Sequence, residues 1–198
     1  MINKKKYHHG KLKEAIIFEV TKQLKTQSFE KISFRSIARN IGVASSAPYN
    51  HFESKEKLLT ELIQIGKLDL FHKIEIAKNN GKNSTEKLLL IAKAYLKFSI
   101  EKKDIFELMF NKNNVEYDRL CNQMIIVFEK IVITKLEEKN RKRVTSQGAA
   151  ITAWSMIYGF SIMMNKRIFT NSKIEKLIDF EVQKVFNEMA AIWGKGVS

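Results

Sequence analysis

Between Ser33 and Phe52 the side chains fall into two sets with different chemistry. One set is polar and left facing out once the other is buried: the Ser45 and Ser46 hydroxyls, the Tyr49 phenol and the Asn50 amide, with the Lys55 ammonium shortly after. Cationic groups pair with phosphate oxygens, while hydroxyls and amides exchange hydrogen bonds with polar edges. The other set, Ile37, Ile41, Val43 and Phe52, is apolar and would dock the segment on a neighbouring helix. No Ser-His-Asp, G-x-G-x-x-G, P-loop or H-E-x-x-H pattern occurs, and Glu137-Glu138 reads as a solvated helix end rather than an acid/base pair. The chemistry expected is therefore binding, not catalysis.

Presenting the first set requires a particular local fold. Two short helices that cross at about 90–120° need a small residue where they touch and a residue tolerant of positive φ at the turn. Ala38 and Gly42, four apart, supply both. Ser33 can cap the earlier helix, which holds Phe34, Ile37 and Ala38. A third segment covers roughly residues 45–51. Pro48 confines it, because proline is tolerated only in a first helical turn, so the segment should begin near Ser45 and be very short. With the apolar set buried, Ser45, Ser46, Ala47, Tyr49 and Asn50 face out, as on a helix laid in a major groove. Ser54 caps the next helix and sets Lys55 beside the same phosphate backbone.

The rest of the chain is patterned for helices. Of 198 residues, 44% are apolar, with eight Gly, one Pro and one Cys, which argues against disordered, disulfide-stapled and loop-rich all-β chains. Leu12, Ile16, Val20 and Leu24 mark a first helix over about 10–27, and a long fourth helix runs from Ser54 past Ile74. Others are expected near 85–102, 115–138 and 144–165, and Ser172-Lys173-Ile174-Glu175 has capping-box form and opens a last one to Ile192. The run from Lys135 to Arg143 reads as a solvated helix end and turn. Charge is uneven: residues 1–60 hold 12 Lys+Arg against 5 Asp+Glu, half of the overall +14. A basic head and a body with a different task follow from that asymmetry.

The elements Tyr7-His8-His9-Gly10-Lys11-Leu12, Ile37-Ala38-Arg39, Ile41-Gly42-Val43, Pro48 to Phe52 and Ser54 to Leu59 occur in order, and together they resemble the DNA-binding head of tetracycline-repressor (TetR) family regulators. The resemblance implies an all-α protein of about nine helices. Residues 1–55 would form a three-helix helix-turn-helix domain, and residues 56–198 a ligand-binding and dimerisation domain. It implies a cytoplasmic, homodimeric repressor that leaves a palindromic operator when a small apolar or amphipathic effector binds, with no cofactor. It also implies roles: Arg35 reaches a base or phosphate, Ser45, Ser46 and Ala47 meet base edges, and Tyr49, His51 and Lys55 contact or support the backbone, beside the outward-facing Asn50. The family often has Ser or Thr as a cap where this chain has Ala44, so Ser45 takes over the cap or the start is looser.

In the body, Trp154 to Gly159 is similar to the Trp-x-x-x-His-Gly element of one C-terminal domain type, with Tyr158 in place of the His. Tyr95, Phe98, Phe106, Met109 and Phe110 are candidates to line an effector pocket, with Met124, Phe128, Trp154 and Tyr158. The same side chains suit ordinary core packing. Cys121 sits on an apolar helix row and reads as a small buried hydrophobe, and adjacent His8 and His9 point apart on a helix, so no metal site is expected. The 22 uncharged residues 144–165 could span a bilayer by length. Their Ser, Thr, Gln and Asn suit burial within or between subunits instead, giving a dimer interface built from the 144–165 and 173–192 helices. Two alternatives keep part of this pattern: a constitutive architectural DNA-binding protein, and a helical carrier of apolar molecules with no effector-controlled binding.

Overall fold

The computed structural model describes residues 11–138 and 144–166, with Glu188 and Ala191. His8-His9, the 139–143 part of the charged run and the helix expected from Ser172 lie outside the described residues. Within them the chain forms seven α-helices and two short 3-10 turns, with no strand. It divides into two compact units, Met1–Gly66 and Lys67–Ser198.

The first unit contains α1 (Leu12–Leu24), a 3-10 turn Phe29–Lys31, α2 (Phe34–Ile41) and a second 3-10 turn Ala47–Asn50. The helix α3 (Lys55–Asn80) starts here and continues into the second unit. The apolar stripe of α1 buries Leu12, Ile16, Val20 and Leu24, and Ile37, Ala38, Phe52, Leu58 and Leu62 are among the residues that join them in the core. Each fully buried Leu or Ile contributes about 1.5–3 kcal/mol relative to exposure, so this small core sets the stability of everything it carries. Ser33 caps α2 as expected: its hydroxyl accepts from Ser36 N–H at 3.1 Å, and Ser33 N–H donates to Ser36 Oγ at 3.3 Å.

The second unit contains α4 (Ser84–Glu101), α5 (Lys103–Met109), α6 (Tyr117–Glu138) and α7 (Ser146–Asn165), with α7 packed on α6 and α4. Asn83 caps α4 by accepting from Glu86 N–H at 2.9 Å, and Thr145 caps α7 by accepting from Gly148 N–H at 3.1 Å. No helix among the described residues is long and apolar enough to cross a membrane. Two polar side chains of α7 are buried and find internal partners, while Gln147, Thr152 and Ser155 are exposed: Ser161 Oγ donates to Ile157 C=O at 2.8 Å, and Asn165 Nδ2 reaches across to Ser99 C=O on α4 at 3.0 Å.

One expectation fails at the end of α6. Lys135 is not on a solvated end but is only 4% exposed, and its Nζ donates to Thr85 Oγ1 at 2.7 Å. Its long apolar stem lets the ammonium cross the packed surface and find acceptors at the start of α4. Glu138, on the same last turn, accepts from Ser84 Oγ, so this corner is joined by polar contacts rather than left to water.

Candidate nucleic-acid interface

The turn between α2 and the 3-10 segment depends on Gly42. Its φ of 75° and ψ of 34° are left-handed, and the turn closes through Val43 N–H to Ala38 C=O at 3.0 Å. A Cβ at position 42 would meet no atom within 4 Å. The glycine is therefore there for the backbone angle and not for room.

Beyond the turn the sequence imposes a short, tight element. Pro48 lies at the start of the 3-10 turn Ala47–Asn50 and is buried, and the turn's N-cap, Ser46, makes no side-chain capping bond. Ser45 does not take over the cap, so the start is the looser of the two expected forms, and the chain makes a single 3-10 turn. Ser45, Ser46, Asn50 and His51 are exposed, while Ala47, expected on the outward face, is half-buried. Tyr49 is 59% exposed yet held edge-on to the buried Phe34 ring, with centroids 4.8 Å apart at 81°. That contact limits where the phenol can point.

Arg35 lies exposed in the first turn of α2, and Arg39, not singled out from the sequence, is exposed on the same face one turn later. Lys55 is half-buried: its Nζ donates to Glu30 C=O at 2.7 Å and sits 5.1 Å from the Phe29 ring centroid. The Glu30 carboxyl is held below its usual range, chiefly by a backbone hydrogen bond and by Ser28, with the Lys55 charge a smaller contribution. His51 lines a surface depression with Lys13, Glu53 and Lys57. Lys13 forms an ion pair with Glu61 at 2.6 Å, half-exposed and so worth about 0–1 kcal/mol.

What positions α2 was not legible in the sequence. Glu19 on α1 is buried, and its Oε1 accepts from Asn40 Nδ2 at 2.7 Å and from Gln23 Nε2 at 3.0 Å. Gln23 Oε1 in turn accepts from Gln27 Nε2 at 2.9 Å and from Ser36 Oγ at 3.3 Å. A buried carboxylate is tolerated only when its lone pairs are used, and here using them fixes α2 against α1. The available signal was Glu19 and Gln23, four apart and each directly before a member of the apolar row Ile16, Val20 and Leu24.

In the second unit, Tyr95, Phe106, Phe110, Trp154 and Tyr158 form one ring cluster, with Phe106 and Phe110 4.7 Å apart and Trp154 and Tyr158 5.5 Å apart. Phe98, Met109, Met124 and Phe128 are fully buried core residues. Cys121, expected as a buried hydrophobe, is half-exposed. The described residues contain no group of His, Cys, Asp or Glu that could hold a metal ion.

Residues 13–62 match the family described as bacterial regulatory proteins, tetR family. The chain is 28% identical over 131 residues to a nucleoid occlusion factor, SlmA, of Alteromonas mediterranea, covering 66% of this chain and 67% of that protein. In fold it is similar to a protein of unknown function from Rhodococcus sp. RHA1, with a TM-score of 0.79 and 19% identity, over 97% of this chain and 98% of that one. It is similar also to AibR, solved in complex with isovaleryl coenzyme A and operator DNA, with a TM-score of 0.68 and 13% identity, over 91% and 96% of the two chains.

Proposed function

We propose that this chain, whose N-terminal head belongs to the tetR family of bacterial regulatory proteins and makes it a DNA-binding regulator, is a cytoplasmic homodimeric repressor released from a palindromic operator by a small apolar or amphipathic effector. Residues 1–55 serve the DNA, and residues 56–198 serve the effector and the dimer. What carries the proposal is the edge formed by Ser45, Ser46, Tyr49 and Asn50, exposed on a segment that Gly42 and Pro48 leave little freedom.

In this mechanism the basic head is drawn to the phosphate backbone, with Tyr49, His51 and Lys55 as its contacts, while Arg35 reaches a base or phosphate and the face at Ser45, Ser46 and Ala47, beside the outward-facing Asn50, meets base edges in the major groove. The half-buried Ala47 offers a methyl group at most. Specificity then rests on few direct contacts, such as Arg35 to guanine, together with DNA shape. Two heads must reach successive major grooves about 34–36 Å apart. An effector that binds better to a dimer with another head spacing shifts the population away from the DNA-competent form. The fold shared with AibR, which was solved with both an acyl thioester of coenzyme A and operator DNA, supports pairing these two ligands.

A second reading is constitutive DNA binding without effector control, and the name of the SlmA relative, a nucleoid occlusion factor, keeps it in view. Sedimentation of the full chain with a palindromic duplex tests the dimeric form. Two chains per duplex are expected, and one chain per duplex would overturn it. Effector control is tested by adding candidate ligands to that complex; duplex released by one favours the repressor, and duplex retained under all favours the second reading.

A further inference from the structure

Two hydrogen-bond donors are buried together in the second unit with nothing adequate to receive them. Tyr95 on α4 is fully buried and Trp154 on α7 is 9% exposed. Among the described residues, neither Tyr95 Oη nor Trp154 Nε1 has a hydrogen-bond partner. The two groups feel each other, since the indole N–H offsets part of the rise that burial imposes on the phenol, but they do not reach bonding geometry. Buried polar atoms are nearly always paired, and an orphaned pair facing one place calls for an explanation.

The surroundings define what would fit. Phe106 and Phe110 pack edge-on against the Tyr95 ring at 5.6 and 6.0 Å, and Phe110 continues to Trp154 at 6.4 Å. The walls are therefore flat and apolar. Tyr117, Cys121 and Tyr158 stand near the same place, all half-exposed, so the cluster opens towards solvent on that side. Indole N–H can only donate, and a phenol kept neutral by burial donates as well. An anion there would be taken out of water with no cation among these seven side chains to meet it.

We propose that this aromatic cluster binds a neutral, flat apolar molecule through a carbonyl oxygen that accepts hydrogen bonds from both Tyr95 Oη and Trp154 Nε1. The inference rests on the effector reading above and names the effector's chemical class. A carbonyl has two lone pairs about one oxygen, which suits two donors converging from α4 and α7. The apolar body would lie on Phe106 and Phe110, with Tyr158 at the entrance.

The test uses two compounds of nearly equal shape, 2-acetylnaphthalene and 2-ethylnaphthalene, measured by equilibrium dialysis against the full chain. The carbonyl compound is expected to bind at least ten-fold more tightly. The preference should fall at least three-fold in Tyr95→Phe and approach parity in the double variant Tyr95→Phe, Trp154→Phe, each first shown by thermal unfolding to be folded. Equal binding of the two compounds to the wild-type chain, or binding of neither, would overturn the inference. Adding each compound to the chain–duplex complex separates the two claims. Duplex release by both compounds alike would retain effector control and reject the carbonyl, whereas a carbonyl preference without release would retain the site and reject the control.

Discussion

Asn40 on α2 donates to the buried carboxylate of Glu19 on α1 at 2.7 Å, across 21 residues of chain. The bond locks the helix that carries Arg35 to the helix that forms the floor of the head. The geometry of α2 is thereby tied to this contact and to the Ser36–Gln23 hydrogen bond beside it, as well as to apolar packing.

Breaking that contact should loosen the head. Hydrogen bonds to a charged group contribute about 1.5–3 kcal/mol, so Glu19→Ala should destabilise the head by about that amount in urea unfolding. A double-mutant cycle with Asn40→Ala should give a coupling energy of about 1 kcal/mol. Strict additivity of the two substitutions would mean the bond does not join α1 to α2 in solution.

Gly42→Ala isolates backbone strain, because the added methyl group meets nothing within 4 Å. The left-handed angle costs about 1–2 kcal/mol for a residue with a Cβ, less what alanine gains by restricting the unfolded chain. A net loss of about 1 kcal/mol in thermal unfolding is expected, with Gly42→Asn milder. A neutral Gly42→Ala variant would show that the turn relaxes to negative φ at little cost.

Lys55→Ala should weaken binding to every duplex sequence alike. Removing one phosphate contact lowers the slope of log affinity against log salt by about 0.9 on B-form DNA. Lys55 already donates to Glu30 C=O, and one ammonium has donors for both partners. An unchanged slope would leave Lys55 a purely structural residue.

Alkaline titration reports on the body. Burial, with the Cys121 thiol nearby, pushes the Tyr117 phenol up to about 12. The folded state binds this proton more tightly than the unfolded chain does. Its stabilising contribution is therefore complete below about pH 10 and is lost as pH rises through about 12. Thermal unfolding of wild type and Tyr117→Phe should diverge over that window, the wild type losing more stability. Parallel curves would show that Tyr117 ionises in the folded chain as freely as in water.

The turn and the cap were legible because few residue types satisfy each: glycine best for a left-handed angle at position 42, and a short polar side chain ahead of α2 at Ser33. The helices followed from periodicity for the same reason, since Ile16 and Val20 can only be buried on one face. Lys135 was misread because a run of charges does not say which long stem lies under the neighbouring helix. Glu19 was missed because a carboxylate beside an apolar row is normally solvated, and only the position of Asn40, 21 residues away, reverses that. At Ala44 and Pro48 the residues showed that the element would be short, but not that it would be a single 3-10 turn, Ala47–Asn50. The ring cluster was visible as a set of residue types; which members meet depended on the packing of α4, α5 and α7.

The central claim is that this chain reads duplex DNA by sequence as a two-fold assembly. The most direct measurement is selection of bound duplex from a random pool by the full chain at about 0.15 M salt, where non-specific attraction is partly screened. One two-fold symmetric sequence, with half-sites about one helical turn apart, is the predicted result. Retention of duplex with no preferred sequence would contradict it.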